Sequence, residues 1–306
     1  MYSKVVLHIF YRYLATGNSF QSLHFEYLLG VTTIREIVRS TCEAIWNCLQ
    51  PKFMPQKTEE DWLQIANLFY ERTNFPHCIG AIDGKHIRIR KPDKSGSQFF
   101  NYKSYFSIVL MALVDSDYNF ISIDVGAYGA SSDSNVFKQT NIYQKLQQNQ
   151  LNIPQPSPLP NDENGKNIPY FIVGDEAFAL SDNVLRPFPH RNVAVSKRIF
   201  NYRLTRARRM VECSFGILAN KWRILHRPLD VTPKFCDVII KTCCILHNFV
   251  RKRDGIQFED TMYDCNLPDI VPIGTRGFIK GIAVRDYLTN YFTSPAGSVT
   301  WQYDKI

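Results

Sequence analysis

Residues 105–129, YFSIVLMALVDSDYNFISIDVGAYG, decide how this 306-residue chain is read. SIVLMALV is apolar at every position rather than at alternate ones, which predicts a strand covered on both faces. DSDYN then reads as a tight turn, and FISIDVGAY as a second strand beside the first. To either side of this pair, CIGAIDGKHIRIRKP (78–92) is a strand candidate upstream and YFIVGDEAF (170–178) a short apolar strand ending at Gly174-Asp175, with NVAVS (192–196) a further extended stretch. SDSNVFKQTNIYQKLQQ between them is helical, with Ser132 or Asp133 as its cap. Two long amphipathic helices follow, one through RARRMVECSFGILANKW (206–222) and one through FCDVIIKTCCILHNFVRKR (235–253). This order predicts an α/β fold, a sheet flanked by helices.

The N-terminal 49 residues read differently. VVLHIFYRYLATG and SFQSLHFEYLLG each end in glycine, and VTTIREIVRSTCEAIWNCL begins at Thr32 and Thr33 as cap candidates. Two short helices and a longer one suit a helix-turn-helix-like module, or a plain bundle packed on the main domain. We therefore divide the chain into a helical module at 1–49, a linker and helix at 50–75, a core at 76–253 and a C-terminal tail at 254–306, with one helix candidate at IAVRDYLTNYF.

Composition narrows the function classes. The chain is 45% hydrophobic with net charge +8, and the eight cysteines include no C-x-x-C pair, which suits a reducing compartment, cytosolic or nuclear. Nothing reaches the length of a membrane span or matches a secretory signal. There is no phosphate-binding loop or Ser-His-Asp signature; Cys236, Cys243 and His247 share a helix face and read as core rather than as a zinc site. Between Arg186 and Arg227 lie eleven Lys or Arg and a single acid, Glu212, so this segment carries +10 and favours a polyanionic partner.

Three acids stand where a solubilising charge is an odd choice. Asp83 follows CIGAI, Asp175 follows YFIVG, and Glu212 lies one residue round from the apolar stripe Val211, Phe215, Leu218, Trp222, Leu225. Converging carboxylates repel unless a cation joins them, and such oxygens suit Mg²⁺ or Mn²⁺, two of which can clamp a phosphoryl transfer. The competing readings are an ion pair of Glu212 with Arg208 or Arg209, and turn roles for the two aspartates.

IGAIDGKHIRIRKP, FFNYKSYFSIVLMALVD, GAYGASSDSNVF, FIVGDEAFAL, NYRLTRARRMVECSFGILANKWRIL and CCILHNFVR together resemble the successive motifs of PIF/Harbinger transposases and the DDE-type nucleases derived from them. The resemblance runs from about residue 8 to 302. It implies an RNase-H-like catalytic core that cuts DNA with two divalent ions, with Asp83, Asp175 and Glu212 as the catalytic, metal-binding set. Asp133 in ASSDSNVF is a further metal ligand or a helix cap, and Asp124 in ISIDVG a weaker candidate. Arg206, Arg208, Arg209, Lys221 and Arg223 are read as contacts to nucleic acid, as are Lys85 and His86, whose other reading is a solvated strand end. The resemblance also implies a separate Myb-like DNA-binding partner, and an N-terminus shorter than that of relatives. A domesticated module that kept the fold and lost the reaction, acting in DNA binding or protein interaction, is the alternative.

Overall fold

The computed structural model of the chain describes residues 2–189, 194–255 and 278–305. Three helices open it, α1 (Tyr2–Thr16), α2 (Phe20–Tyr27) and α3 (Val31–Phe53), followed by α4 (Glu59–Thr73). Gly17 takes φ +70° just past α1, as a terminating glycine should. The other expected boundaries shift. Leu28, not Gly30, is the left-handed residue that closes α2, and Gly30 is instead the N-cap of α3, ahead of the two threonines. α3 also runs through Pro51 into the expected linker. The linker is thus short, and α4 starts cleanly because Thr58 and Asp61 form a reciprocal capping box.

The sheet among the described residues comprises β1 (Cys78–Arg88), β2 (Ser107–Val114), β3 (Phe120–Tyr128), β4 (Phe171–Val173) and β5 (Val184–Leu185), in spatial order β3-β2-β1-β4-β5. β1, β2 and β3 are antiparallel neighbours, while β4 joins β1 and β5 joins β4 in parallel. This mixed sheet flanked by helices is the RNase-H-like arrangement the sequence implied. All eight residues of β2 are buried, so its unbroken apolar run has the two-sided cover that such a run needs. The expected turn is closed by Asp115, whose carboxylate accepts the N–H groups of Asp117 and Asn119 at 2.8 Å.

Two local expectations need correcting. The helix after β3 is broken into α5 (Asp133–Gln139) and α6 (Asn141–Gln147), because Thr140 leaves the helical conformation and its hydroxyl caps α6. The fifth strand is Val184–Leu185 rather than NVAVS; Val195 and Ser196 begin α7 (Val195–Lys221), and 190–193 lie outside the described residues.

α4 lies on β1, α7 crosses β1, β2 and β4, and α8 (Pro233–Asp254) covers β3. The predicted stripe is buried throughout, along α7 and into the 3₁₀ turn that follows it (Arg223–His226): Val211, Phe215, Leu218, Trp222 and Leu225 are all at most 4% exposed. α3 packs along α8, and the Arg227 guanidinium donates to the Gly17 carbonyl at 2.9 Å, so the N-terminal helices share the core of the sheet. The C-terminal helix α9 (Ile279–Tyr291) shares it too. Leu288 and Phe292 are wholly buried, and Arg203 of α7, 1% exposed, lies 4.4 Å from the centroid of the Phe292 ring and donates to Gln302.

Candidate metal centre

The parallel pairing of β1 with β4 sets Ala81 opposite Val173. Two residues further along, each chain carries an aspartate, Asp83 and Asp175. The sequence suggested that both acids follow their strands. Asp175 does, but β1 continues to Arg88, so Asp83 sits in mid-strand, 4% exposed. Gly174 permits the approach: a Cβ there would lie 2.7 Å from the Phe178 ring and 3.2 Å from Ile82. Backbone N–H groups orient both side chains, Gly84 donating to Asp83 Oδ1 at 2.9 Å and Ala177 to Asp175 Oδ1 at 2.8 Å.

The third member is Asp133. Ser132 occupies the N-cap position of α5, so Asp133 is the first helical residue and not its cap. It is fully buried, and carboxylate oxygens of Asp83, Asp133 and Asp175 lie within 4.8 Å of one another. Three carboxylates so close, two of them withdrawn from water, form a hard-oxygen donor set that fits a divalent cation and is poorly suited to a softer metal. The residues present therefore fit the metal that the sequence implied. The group holds Asp83 and Asp175 together with Asp133, the further candidate ligand.

Glu212 is not among these three. Its carboxylate pairs with Arg208 one turn earlier on α7, the ion-pair geometry the spacing allowed. It remains on the helix that covers β1, one turn before Phe215, whose ring lies 5.6 Å from Lys85 Nζ. The basic residues divide. Arg206 is engaged internally, donating to the Asn74 side chain at 3.0 Å and the Arg72 carbonyl at 3.1 Å, and lies over the Trp301 ring. Arg209, Lys221 and Arg223 are exposed.

Lys85 and His86 are not a solvated strand end. They are 2% and 0% exposed: both pair with β2, Lys85 lies against the Phe215 ring of α7, and His86 packs against Tyr102 and Tyr105 of the β1–β2 connection. Burial, then the Lys103 and Lys85 charges, push the His86 imidazole down to about 4, so it is neutral and shares a hydrogen bond with the Ser107 hydroxyl at 2.9 Å. Asp124 lies apart from the three aspartates, beside Asp237 of α8. Burial raises both carboxyls, Asp237 to about 6, with Lys241 opposing. Cys236 and Cys243 are fully buried with raised thiol pKa values, and His247 Nε2 is 2.8 Å from the Tyr118 carbonyl, as core residues. No described helix is long and apolar enough to cross a membrane.

The DDE superfamily endonuclease family matches residues 82–248, a span that contains all four acids. The protein named ALP1-like from Arabidopsis thaliana is 25% identical over 257 residues, 83% of this chain and 60% of that protein. The nuclease-named HARBI1 proteins of Mus musculus and Homo sapiens are 25% and 21% identical over 183 residues, covering 59% of this chain and 48% of each relative. The aligned part of the chain thus spans about half to three fifths of the length of these relatives. No solved structure matches the chain.

Proposed function

The chain belongs to the DDE superfamily endonuclease family, and from that premise we propose that it is a divalent-metal-dependent nuclease hydrolysing phosphodiester bonds of DNA. The observation that carries this reading is the meeting of Asp83 and Asp175 oxygens at the sheet with those of Asp133 at the start of α5, all within 4.8 Å of one another. These three would hold Mg²⁺ or Mn²⁺. When bound, such an ion polarises a phosphoryl oxygen and lowers the pKa of coordinated water.

The remaining residues supply position and charge. Asp83 and Asp175 are oriented by backbone N–H groups and need little rearrangement to act as ligands. Lys85, two residues from Asp83 on the same strand face, keeps a cation beside an anionic phosphate. Exposed Arg209, Lys221 and Arg223 would follow the phosphate backbone. In this reading Glu212 would help hold a second ion, once nucleic acid has drawn the Arg208 guanidinium from its carboxylate. The Myb-like partner and a nuclear or cytoplasmic site of action belong to the same reading.

The test is cleavage of end-labelled single-stranded and duplex DNA with Mg²⁺ or Mn²⁺. The wild type should cut; Asp175→Asn and Glu212→Gln should not, while still binding DNA. Cleavage by Asp175→Asn equal to that of the wild type refutes the metal centre. Binding without cleavage by the wild type identifies an inactive, DNA-binding descendant of the family.

A further inference from the structure

The connection from β1 to β2 plays no part in the aspartate group, yet it is built as a binding surface. From Arg88 to Phe106 it carries Arg88, Arg90, Lys91, Lys94 and Lys103, all exposed, against one acid, Asp93. Among these cations stand exposed rings: Phe100 at 41% and Tyr102 at 48%, joined by Tyr128 of β3 at 48%, which packs edge-on against Phe99. The cations already sit on ring faces. Arg88 lies 4.6 Å from the Tyr105 centroid, Lys103 5.5 Å from Tyr102 and Lys91 5.7 Å from Phe106.

A buried polar network holds these rings in place. Asn101, 2% exposed, accepts from the Lys103 and Tyr105 N–H groups at 3.0 and 3.3 Å and donates to the Ser107 hydroxyl at 3.0 Å, which in turn bonds His86. The segment is also tied to the metal centre. Gly129 lets the chain leaving β3 press against it, since a Cβ there would lie 2.4 Å from Ser107 Oγ and 2.5 Å from the Phe99 carbonyl. Ala130 N–H then bonds the Gln98 carbonyl at 3.2 Å, three residues before Asp133.

Half-exposed aromatic rings on a rigid frame, interleaved with cations, match what unpaired bases require: a flat apolar face for each base and a positive charge for each phosphate. Paired bases in a duplex already have their faces covered by stacking. We propose that the β1–β2 connection is a stacking platform for unpaired bases, so that the preferred substrate carries single-stranded or extrahelical nucleotides beside the bond to be cut. This rests on the nuclease reading for the last step but not for the binding itself.

Binding is therefore measured in EDTA, where no cleavage occurs, by fluorescence anisotropy of labelled oligothymidine and of a duplex of equal length. The wild type should bind the single strand more tightly, and Phe100→Ala with Tyr102→Ala should weaken that binding about tenfold or more. Duplex affinity and the thermal midpoint should stay unchanged, and Tyr102→Phe should retain single-strand binding. Lys94→Ala with Lys103→Ala should reduce the salt dependence of single-strand binding by about 1.4 in slope, near 0.7 for each lost phosphate contact. Single-strand binding unaltered by the ring substitutions overturns the platform and assigns these rings to a protein partner. Wild-type protein that shows the ring-dependent binding but never cuts upholds the platform and overturns the nuclease reading alone.

Discussion

Replacing Asp133 by Asn should change stability in opposite directions with and without metal. Two negative charges 4.8 Å apart repel by about 3.5 kcal/mol at an effective dielectric constant near 20. Asp133 takes part in two of the three pairs, so its neutralisation removes about 7 kcal/mol of gross repulsion, reduced by Lys85 and by solvent at the half-buried Asp175. Against this stands the loss of a carboxylate in the first turn of α5, worth about 0.3–1 kcal/mol. The repulsion term is the larger, and a net stabilisation of about 1–2 kcal/mol is expected in EDTA. For a 306-residue chain that corresponds to roughly 1.5–3 °C in thermal midpoint. Saturating Mn²⁺ reverses the order, because a ligand at about a hundredfold its Kd stabilises the wild type by about 2.7 kcal/mol while the amide supplies no charge to hold it. The assay is thermal unfolding of both proteins in EDTA and across a Mn²⁺ titration. If Asp133→Asn lowers the midpoint equally under both conditions, Asp133 is a structural residue of the helix start and the three-aspartate metal centre is wrong.

Arg208→Ala removes a partly exposed i,i+4 ion pair and should cost well under about 1 kcal/mol in urea unfolding, since such pairs contribute only tenths. His86 gives a pH dependence. Its folded pKa lies near 4 against an ordinary 6.5, so the folded state binds fewer protons between these values; the stability is fully present above pH 6.5 and lost as pH falls through 4. At about 1.4 kcal/mol per pH unit this amounts to roughly 3 kcal/mol. Urea midpoints from pH 4 to 7 should therefore flatten in His86→Gln, and an unchanged pH slope would show that His86 is not their source. Arg203→Met strips a buried guanidinium from between Asn74, Gln302 and the Phe292 ring and should cost about 2–4 kcal/mol, with part recovered by adding Gln302→Leu. No recovery in the double variant would mean that lost packing, not a stranded polar group, sets the cost. Leu110→Ala in the fully covered β2 should cost about 2–5 kcal/mol, and less than about 1 would mean that strand is not an inner one.

Much of the fold is local chemistry and was legible in the sequence. The unbroken SIVLMALV run specified an inner strand, the helical spacing of Val211, Phe215, Leu218, Trp222 and Leu225 specified the buried side of α7 and of the turn after it, and Gly17 ended α1, because periodicity and backbone freedom act within a few residues. Asp83 and Asp175 stood out for the same reason, as charges beside apolar strands. The composition of the metal centre was not local. Whether Asp133 capped a helix or faced the other acids depended on the Ala81–Val173 register and on the path of residues 129–132, neither of which leaves a mark in nearby sequence. Whether Glu212 joined the acids or paired with Arg208 depended on how α7 lies over β1. Lys85 and His86 look like any charged strand end until β2, α7 and the β1–β2 connection close over them. The sequence set which segments are strands and helices and how they face the core; the tertiary structure decided which charges meet, because electrostatic neighbours are chosen by packing between segments far apart in the chain.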